Sequence, residues 1–229
     1  MELLLLFVKA LIRPLRTPVP LEGVRRILVI DIAYIGDMIM TSPVYRALKH
    51  HLPGARVDAW SFASSGEALS ANPFVDTAYV FPKSSLGKQL ASAIEMRRHR
   101  YDLIIQMNTS LKNNFFMWIV GARYRVGYDF EHRACFHNIR IPISARTTRT
   151  RHRVDESVEL LEQAFGWVVK EREPIFTVRE EAVQTIRHFF SETRINEKDV
   201  VIGLHTNCNP SAERRHWDQI KFAALADTL

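Results

Sequence analysis

The sequence predicts an α/β fold in which strands and helices alternate along most of the chain. Short apolar runs that end at turns recur, and such runs are typical of buried parallel strands. Segments with the apolar spacing of amphipathic helices separate these runs. Of the 229 residues, 47% are hydrophobic, so the chain can build a sizeable core. The repeated order of strand, crossover helix and strand predicts a mostly parallel, doubly wound, Rossmann-like sheet.

The amino-terminal segment and linker, residues 1–23, precede the first predicted strand. Their apolar run, residues 3–8, is shorter than the roughly 20 residues that a transmembrane helix needs. Glu2 precedes the run and the cations follow it, which is unlike a signal peptide. Two interpretations remain: an amphipathic helix lying on an anionic membrane, or a helix packed on the protein's own surface. The cations that would meet lipid headgroups are Lys9, Arg13 and Arg16.

Residues 24–178 are predicted to form the first Rossmann-like domain. Its predicted strands are residues 26–31, 56–60, 77–81 and 102–106. Its predicted helices pass through residues 44–48 and cover residues 86–99, 112–120 and 152–165, with Gly166 ending the last of them. The start of the first helix has two interpretations. Asp37 caps it, or Ser42 caps it with Pro43 at the first helical position.

A second domain is predicted to begin late in the chain. A connecting helix and linker, residues 179–198, lead to a predicted strand at 200–205 and a helix through Ile220 and Ala226. One strand and one helix cannot bury their own apolar faces, so residues 199–229 resemble the first βα unit of an unfinished domain. We therefore expect the chain to be a fragment or a truncated product. Apolar surface should be exposed on residues 200–204, Phe222, Leu225 and Leu229.

The positive charge is concentrated in one third of the chain. The formal net charge is +6, and residues 83–153 contain 14 Lys and Arg against four Asp and Glu, a net of +10. This predicts an anionic partner (nucleic acid, a phosphorylated ligand or an acidic membrane surface), although a solvated basic face is the plainer interpretation. Cys135 and Cys208 lie far apart in no metal-binding spacing, so we expect free thiols and no metal site.

Two loops follow predicted strands, where doubly wound sheets bind ligands. The first, residues 32–37, brings Gly36 for a sharp turn and Asp37, either as a helix cap or as a carboxylate in a cleft. The second, residues 206–216, is either a solvated loop or a diphosphate site. Neither loop contains a dinucleotide-binding or P-loop glycine motif. The groups of the second loop that suit phosphate oxygens are Thr206, Asn207, Ser211, Arg214 and Arg215.

A series of motifs in order resembles glycosyltransferase family 9, the ADP-heptose:lipopolysaccharide heptosyltransferases and their relatives. The opening strand, Gly-Asp turn and Thr-x-Pro helix start are carried by RILVIDIAYIGDMIMTSPVYRAL at residues 26–48. Further matches follow in YDLII at 101–105, GAR at 121–123, RVG at 125–127 and the helix at 152–166. VIGLH at 201–205 and RHW at 215–217 are similar to the start of the family's second domain.

The resemblance implies a GT-B fold with two Rossmann-like domains, of which only the first βα unit of the second is present. It implies Asp37 as the general base and an inverting transfer without a covalent intermediate. The departing diphosphate would be stabilised by Arg215, Thr206 and Asn207. The donor would be a nucleotide-sugar such as ADP-heptose, bound as a substrate, with no cofactor and no metal ion.

The acceptor implied by the resemblance is an anionic, lipid-linked sugar of the lipopolysaccharide core. Candidate acceptor-binding residues are Gly36, Lys112, Arg123, Arg125, Arg149 and Arg151. The expected location is the cytoplasm, at the inner face of the cytoplasmic membrane. Alternatives are an inactive fragment that keeps acceptor binding, a basic nucleic-acid-binding protein and a nicotinamide dehydrogenase. The sequence contains no nucleic-acid recognition motif, so no nucleic-acid partner is expected. It also lacks the glycine-rich loop of a nicotinamide dehydrogenase.

Overall fold

The computed structural model describes residues 10, 12–144, 150–196, 198–206 and 217–228. The chain divides into two compact units, Met1–Arg179 and Glu180–Leu229. The first unit contains a six-stranded sheet with the order β3-β2-β1-β4-β5-β6, and each pair of neighbouring strands is parallel. The strands are β1 (Arg26–Ile30), β2 (Arg56–Ser61), β3 (Thr77–Val80), β4 (Leu103–Gln106), β5 (Tyr124–Asp129) and β6 (Ile139–Pro142). The prediction of an α/β fold with a doubly wound parallel sheet is confirmed.

Helices connect the strands on both faces of the sheet. They are α1 (Ile35–Thr41), α2 (Pro43–His51), α3 (Ala63–Ser70), α4 (Leu86–Arg97), α5 (Leu111–Val120) and α6 (Arg153–Phe165). Helix α6 ends as predicted at Gly166, which adopts the left-handed conformation (φ 72°, ψ 21°) and donates its N–H to the carbonyl of Glu162. A residue with a Cβ would be strained there.

The core has two layers because the sheet is covered on both faces. Ile27 and Val29 of β1 pack in a cluster with residues of α2 and α6, whereas Leu28 and Ile30 pack in a cluster with residues of α4 and α5. All four side chains are fully buried. This explains why β1 is an unbroken apolar run and lacks the alternation of a strand with one solvated face.

The structure distinguishes the two interpretations of where the first helix begins. Helix α1 begins at Ile35, with Tyr34 in extended conformation at the N-cap, so Asp37 is its third residue and the proposed Asp37 cap is wrong. A second helix, α2, begins at Pro43 after Ser42, as the other interpretation expected. The Ser42 hydroxyl makes no cap bond. It donates to the carbonyl of Ile39 (2.6 Å) and accepts from the N–H of Ile175 (2.6 Å).

Three elements of the first unit were absent from the prediction: α3, β5 and β6. Strand β5 contains Arg125 and Gly127, and β6 is a four-residue strand with Arg140 and a terminal proline. Neither strand has the uninterrupted apolar run that marks β1 and β4. Tertiary pairing, not local composition, makes them strands.

Residues 12–20 lie along the first unit as an irregular segment. The backbone N–H groups of Leu15 and Val19 donate to the carbonyls of Asn138 (2.7 Å) and Ala164 (2.9 Å). Residues 1–9, which carry the predicted apolar run and Lys9, lie outside the described residues. None of the helices in the described part of the chain combines the length and apolar character that crossing a membrane requires.

The second unit contains two helices in its described part, α7 (Glu180–Glu192) and α8 (Gln219–Ala226). The strand predicted at residues 200–205 is not formed, because no neighbouring strand among the described residues of this unit pairs with it. Val200 is 87% exposed and Ile202 is 54% exposed, so the expected apolar surface is present here. Residues 207–216 of the predicted donor loop lie outside the described residues.

A histidine is fully buried next to β5. Neither ring nitrogen of His137 has a hydrogen-bonding partner among the described residues. Its ring lies against Gly127, where a Cβ atom would come within 2.2 Å of His137 Nε2. The pKa of His137 is lowered to about 3, chiefly by burial and also by the charges of Arg125 and Arg140, while Asp129 opposes them.

This histidine should make the protein less stable in acid. Between its ordinary pKa of about 6.5 and about 3, the unfolded chain binds a proton at His137 that the folded chain does not. The free energy of unfolding should therefore fall as the pH falls below about 6.5, by about 1.4 kcal/mol per pH unit from this group alone. Urea unfolding of wild type and His137→Leu as a function of pH measures this. Parallel pH profiles for the two proteins would contradict it.

Candidate active site

The candidate site lies where the strand order reverses, between β1 and β4. From β1 the chain proceeds to β2 and β3 on one side, and β4 to β6 continue on the other. The connections after β1 and β4 thus leave in opposite directions, which opens a crevice at the carboxyl ends of the strands. Two adjoining clefts, of about 430 and 580 Å³, lie there and share Asn108 and Thr109, which follow β4.

Asp37 lies in the first of these clefts, here called the carboxylate cleft. It is exposed in the first turn of α1, where the partial positive charge of the helix amino terminus favours an anion. The cleft is lined by Ala33, Asp37, Asn108, Thr109, Phe130, Arg153 and Glu156. An exposed carboxylate at the edge of a cleft can accept a proton from a bound hydroxyl group.

A second carboxyl group is buried beneath this region. Asp31, directly after β1, is fully buried, and its Oδ2 accepts a hydrogen bond from Thr41 Oγ1 at 2.5 Å. Burial raises the pKa of the Asp31 carboxyl, and the charge of Asp37 adds to this, while the Thr41 hydrogen bond and the charge of Arg153 oppose it. Asp31 is therefore electrostatically coupled to Asp37, but only Asp37 is open to a ligand.

Arg153 and Glu156 complete the wall of the carboxylate cleft. Arg153 donates to the carbonyl of Met107 (2.8 Å) at the end of β4 and to Glu156 Oε1 (2.7 Å). These bonds fix the first turn of α6 to the carboxyl end of the sheet. Neither residue stands out in the sequence. Arg153 is the last cation of the basic segment, and its distance from Asp37 along the chain conceals their proximity.

The second cleft, here called the cationic cleft, is positively charged. Lys83, Lys112 and Arg133 line it, and each comes from the connection that follows a different strand. Lys83 Nζ lies 4.4 Å from the ring centroid of Phe62, and Arg133 is paired with Glu131 at 2.8 Å. Lys112 is exposed in the first turn of α5. Three cations around one concave surface suit a ligand with several negative charges.

The floor between the two clefts is a hydrogen-bonded turn after β4. Asn108 Oδ1 accepts from Gln106 Nε2 (2.8 Å), from the N–H of Ser110 (3.1 Å) and from Asn113 Nδ2 (3.2 Å). Ser110 in turn caps α5 by accepting from the N–H of Asn113 (3.4 Å). This network fixes the start of α5, and therefore the base of the Lys112 side chain.

The structure brings together only some of the predicted acceptor residues. Lys112 lines the cationic cleft. Gly36, expected at a sharp turn, is instead the second residue of α1 and is not among the residues that line the two clefts. Arg123 and Arg125 lie at the amino-terminal end of β5, at the opposite edge of the sheet. The Arg125 guanidinium is held by the carbonyls of Ala122 (2.6 Å) and Phe136 (3.0 Å). Arg123 and Arg125 are therefore not placed to bind a ligand in these clefts.

Of the remaining predicted residues, the structure describes Arg151 and Thr206. Arg151 forms an ion pair with Glu159 and is not among the residues that line the two clefts. Thr206 is exposed in the second unit. Arg149, Asn207 and Arg215 lie outside the described residues. No group of three or more His, Cys, Asp or Glu side chains that could hold a metal ion occurs in the described part of the chain.

Comparison with known proteins decides the family. The sequence model of glycosyltransferase family 9 (heptosyltransferase) matches residues 90–229, more than half of the chain. The chain belongs to glycosyltransferase family 9. The family 9 chain is 26% identical over 224 residues to lipooligosaccharide heptosyltransferase 2 of Haemophilus ducreyi, covering 89% of this chain and 60% of that protein. It is 24% identical over 206 residues to lipopolysaccharide heptosyltransferase 3 of Escherichia coli K12, covering 86% and 57%.

Solved structures of the family share the fold of this chain. A family 9 glycosyltransferase from Veillonella parvula matches with a TM-score of 0.74 and 21% identity, over 89% of this chain and 59% of that one. The E. coli ADP-heptose lipopolysaccharide heptosyltransferase II matches with a TM-score of 0.68 and 21% identity, over 89% and 60%. The family 9 chain spans between 31% and 60% of the length of the curated relatives that it matches.

Proposed function

We propose that this family 9 chain belongs to an inverting glycosyltransferase in which Asp37 is the general base. The enzyme would transfer heptose or a related sugar from a nucleotide-sugar, such as ADP-heptose, to an acidic acceptor of the lipopolysaccharide core. The observation that carries the proposal is the placement of Asp37. Its exposed carboxylate lines a cleft at the point where the strand order reverses, and a cationic cleft adjoins it. The heptosyltransferase relatives support the class of donor and acceptor.

The chemistry follows from one carboxylate acting on one hydroxyl group. Asp37 accepts the proton of an acceptor hydroxyl as the oxygen forms a bond to the anomeric carbon of the donor sugar. The bond from that carbon to the nucleotide diphosphate breaks, and its electron pair leaves with the diphosphate. Attack from the side opposite the leaving group inverts the anomeric configuration and requires no covalent sugar–enzyme intermediate.

The negative charge that develops on the leaving diphosphate needs stabilisation. We assign this to Arg215, with Thr206 and Asn207, because guanidinium, hydroxyl and amide groups all donate hydrogen bonds to phosphate oxygens. These residues belong to the second unit, as the two-domain GT-B arrangement requires of the donor site. No cofactor or metal ion is needed in this mechanism, since the donor itself is a substrate.

The acceptor is assigned to the cationic cleft. A lipopolysaccharide core acceptor carries carboxylates and phosphates, and Lys83, Lys112 and Arg133 provide compatible charges next to Asp37. Of the acceptor residues predicted from the sequence, Lys112 lines this cleft, and we keep it in this role. A lipid-linked acceptor would place the enzyme in the cytoplasm, at the inner face of the cytoplasmic membrane.

Charge reversal in the cationic cleft tests the acceptor assignment. Lys83→Glu with Lys112→Glu should weaken binding of a soluble, deacylated inner-core oligosaccharide by at least about tenfold, and binding should lose much of its salt dependence. Fluorescence anisotropy of a labelled oligosaccharide measures this on the 229-residue chain. The matched control is Arg16→Glu with Arg123→Glu, which reverses two charges at the amino-terminal edge of the sheet. Unchanged affinity in the Lys83 and Lys112 variant, or an equal loss in the control, would overturn the assignment.

A further inference from the structure

Helices α4 and α5 expose apolar side chains on the face that points away from the sheet. On α4, Leu86, Leu90 and Ile94 are spaced four residues apart and are 64%, 38% and 50% exposed. On α5, Phe115 and Trp118 are 38% and 46% exposed. We call these five side chains the α4–α5 patch. Exposed apolar side chains grouped on neighbouring helices mark an interaction site more often than single exposed residues do.

The two helices that carry the patch lie side by side. Arg97, at the end of α4, donates to the carbonyl of Ile119 of α5 at 2.8 Å. On α5, the rings of Phe115 and Trp118 stack at a centroid distance of 6.1 Å. Both rings also contact the ring of Phe136, at 5.8 and 5.7 Å. The aromatic side chains therefore form a fixed cluster on the surface.

The core of the domain does not require this patch. Helix α4 already buries Ala93 and Met96 towards the sheet, and α5 buries Phe116, Met117 and Val120. The exposed side chains lie outside this packed layer. Their exposure costs solvation free energy that a binding partner would recover.

The surroundings of the patch are strongly basic. Residues 83–123 contain seven Lys and Arg against two acids, Glu95 and Asp102, a net of +5. Asp102 accepts hydrogen bonds from the backbone N–H groups of Arg25 and Arg26, at the amino-terminal edge of the sheet. The exposed cations of the two helices and the loop before them are Lys83, Lys88, Arg97, Arg98 and Lys112.

We infer that the α4–α5 patch docks the protein on an anionic lipid bilayer. Tryptophan, phenylalanine and leucine side chains flanked by lysine and arginine are the residues that hold helices in the bilayer interface, and their cations attract acidic headgroups. A second copy of the chain would bring two basic surfaces together, which like-charge repulsion opposes. Nucleic acid would leave the aliphatic stripe of α4 without an apolar partner. An anionic bilayer supplies an apolar environment for the exposed side chains and negative charges for the flanking lysines and arginines.

Docking at the patch would bring a lipid-linked acceptor to the enzyme, so this inference rests on the proposed function. Lys83 precedes α4 by three residues and Lys112 lies in the first turn of α5, and both line the cationic cleft. A bilayer bound at the patch would therefore lie beside the cleft assigned to the acceptor. The headgroup of a lipid-linked acceptor could enter the cleft while its acyl chains stay in the membrane.

Vesicle binding of the full chain tests the docking surface. Wild type should sediment with phosphatidylcholine vesicles that contain phosphatidylglycerol, and much less with pure phosphatidylcholine. Phe115→Ser with Trp118→Ser should lower the partition coefficient by about tenfold, because two interfacial aromatic side chains are lost. The matched control, Val168→Ser with Phe176→Ser, removes side chains that are 72% and 55% exposed elsewhere on the first unit and should bind as wild type does.

A second measurement keeps the test independent of folding defects. Brominated acyl chains should quench tryptophan fluorescence in wild type more than in Trp118→Phe, which keeps an apolar ring at the position. Equal quenching in these two proteins, or equal vesicle binding by wild type and the Phe115 and Trp118 variant, would overturn the inference. A dimer that the patch variant dissociates, together with no vesicle binding by wild type, would overturn it in favour of a second copy.

The two proposals fail in distinguishable ways. The patch variant keeps Lys83 and Lys112, so its affinity for the soluble, deacylated oligosaccharide should equal that of wild type. Loss of vesicle binding with intact oligosaccharide binding supports docking at the patch. Wild type that binds vesicles but not the oligosaccharide would leave the docking surface in place and remove the acceptor assignment.

Discussion

Replacing Asp37 by Asn is expected to reduce turnover by about 10² to 10⁴, the range that general-base assistance contributes. Asn has the same size but cannot accept the proton of the acceptor hydroxyl. The measurement needs an enzyme that carries this chain together with a complete donor-binding domain. Donor affinity should stay close to that of wild type, because Asp37 belongs to the acceptor side of the proposed mechanism. A loss confined to kcat, with KM for the donor unchanged, is the expected signature.

The position of Asp37 in α1 also predicts how its substitution affects stability. Asp37 is not a helix cap, so Asp37→Ala should change the free energy of unfolding by no more than the few tenths to about 1 kcal/mol of a first-turn charge. The matched control is Glu181→Gln, which neutralises an exposed first-turn carboxylate on α7. It should leave turnover unchanged. An Asp37→Asn enzyme with normal turnover would leave the mechanism without its base.

The sheet could be predicted from the sequence where the physics is local. Strands β1 and β4 are buried on both faces, so each is an apolar run that ends at a turn. Strand β5 could not be recognised in the same way, because Arg125 and Gly127 interrupt it. Its strand conformation depends on pairing with β4 and β6, which are remote in the sequence.

Because β5 could not be recognised from the sequence, the predicted acceptor residues could not be assigned to the correct edge of the sheet. Lys83, Lys112 and Arg133 follow strands, so their side chains reach the carboxyl ends of the sheet. Arg123 and Arg125 stand at the start of β5 and lie at the other end. A run of positive charge in the sequence does not show which edge each cation occupies. Once β5 is known, the position of each cation relative to its strand decides this.

Only part of the carboxylate cleft could be predicted from the sequence. Asp37 could be selected because it follows a predicted strand, where doubly wound sheets bind ligands. Arg153 and Glu156 could not, because they reach the cleft from α6, whose first turn is held by the hydrogen bond from Arg153 to the carbonyl of Met107. Contacts of this kind depend on how a helix packs on the sheet, and no local pattern encodes them.

The second large effect is expected at Gly127. An alanine Cβ there would lie 2.2 Å from His137 Nε2 and 2.7 Å from its Cδ2, both in the buried ring, so the ring or the strand must move. Overpacking of this kind costs about 1–3 kcal/mol or more, although alanine in a strand is otherwise favoured over glycine by about 0.5–1 kcal/mol. Gly127→Ala should therefore lower the free energy of unfolding measured in urea. Gly66→Ala, at a helical position with open space around its Cβ, should not lower it.

A double-mutant cycle isolates the steric cause. His137→Ala removes the ring that Gly127 accommodates, so Gly127→Ala should be neutral or stabilising in that background, and the two changes together should cost less than the sum of each alone. Phe130 and Arg133, which line the two clefts, lie on the same β5–β6 connection as His137. Displacement of His137 should therefore also weaken oligosaccharide binding, and His137→Ala should restore it in the Gly127→Ala chain. Additive costs in the cycle would show that glycine is required at this position for a reason other than the histidine ring.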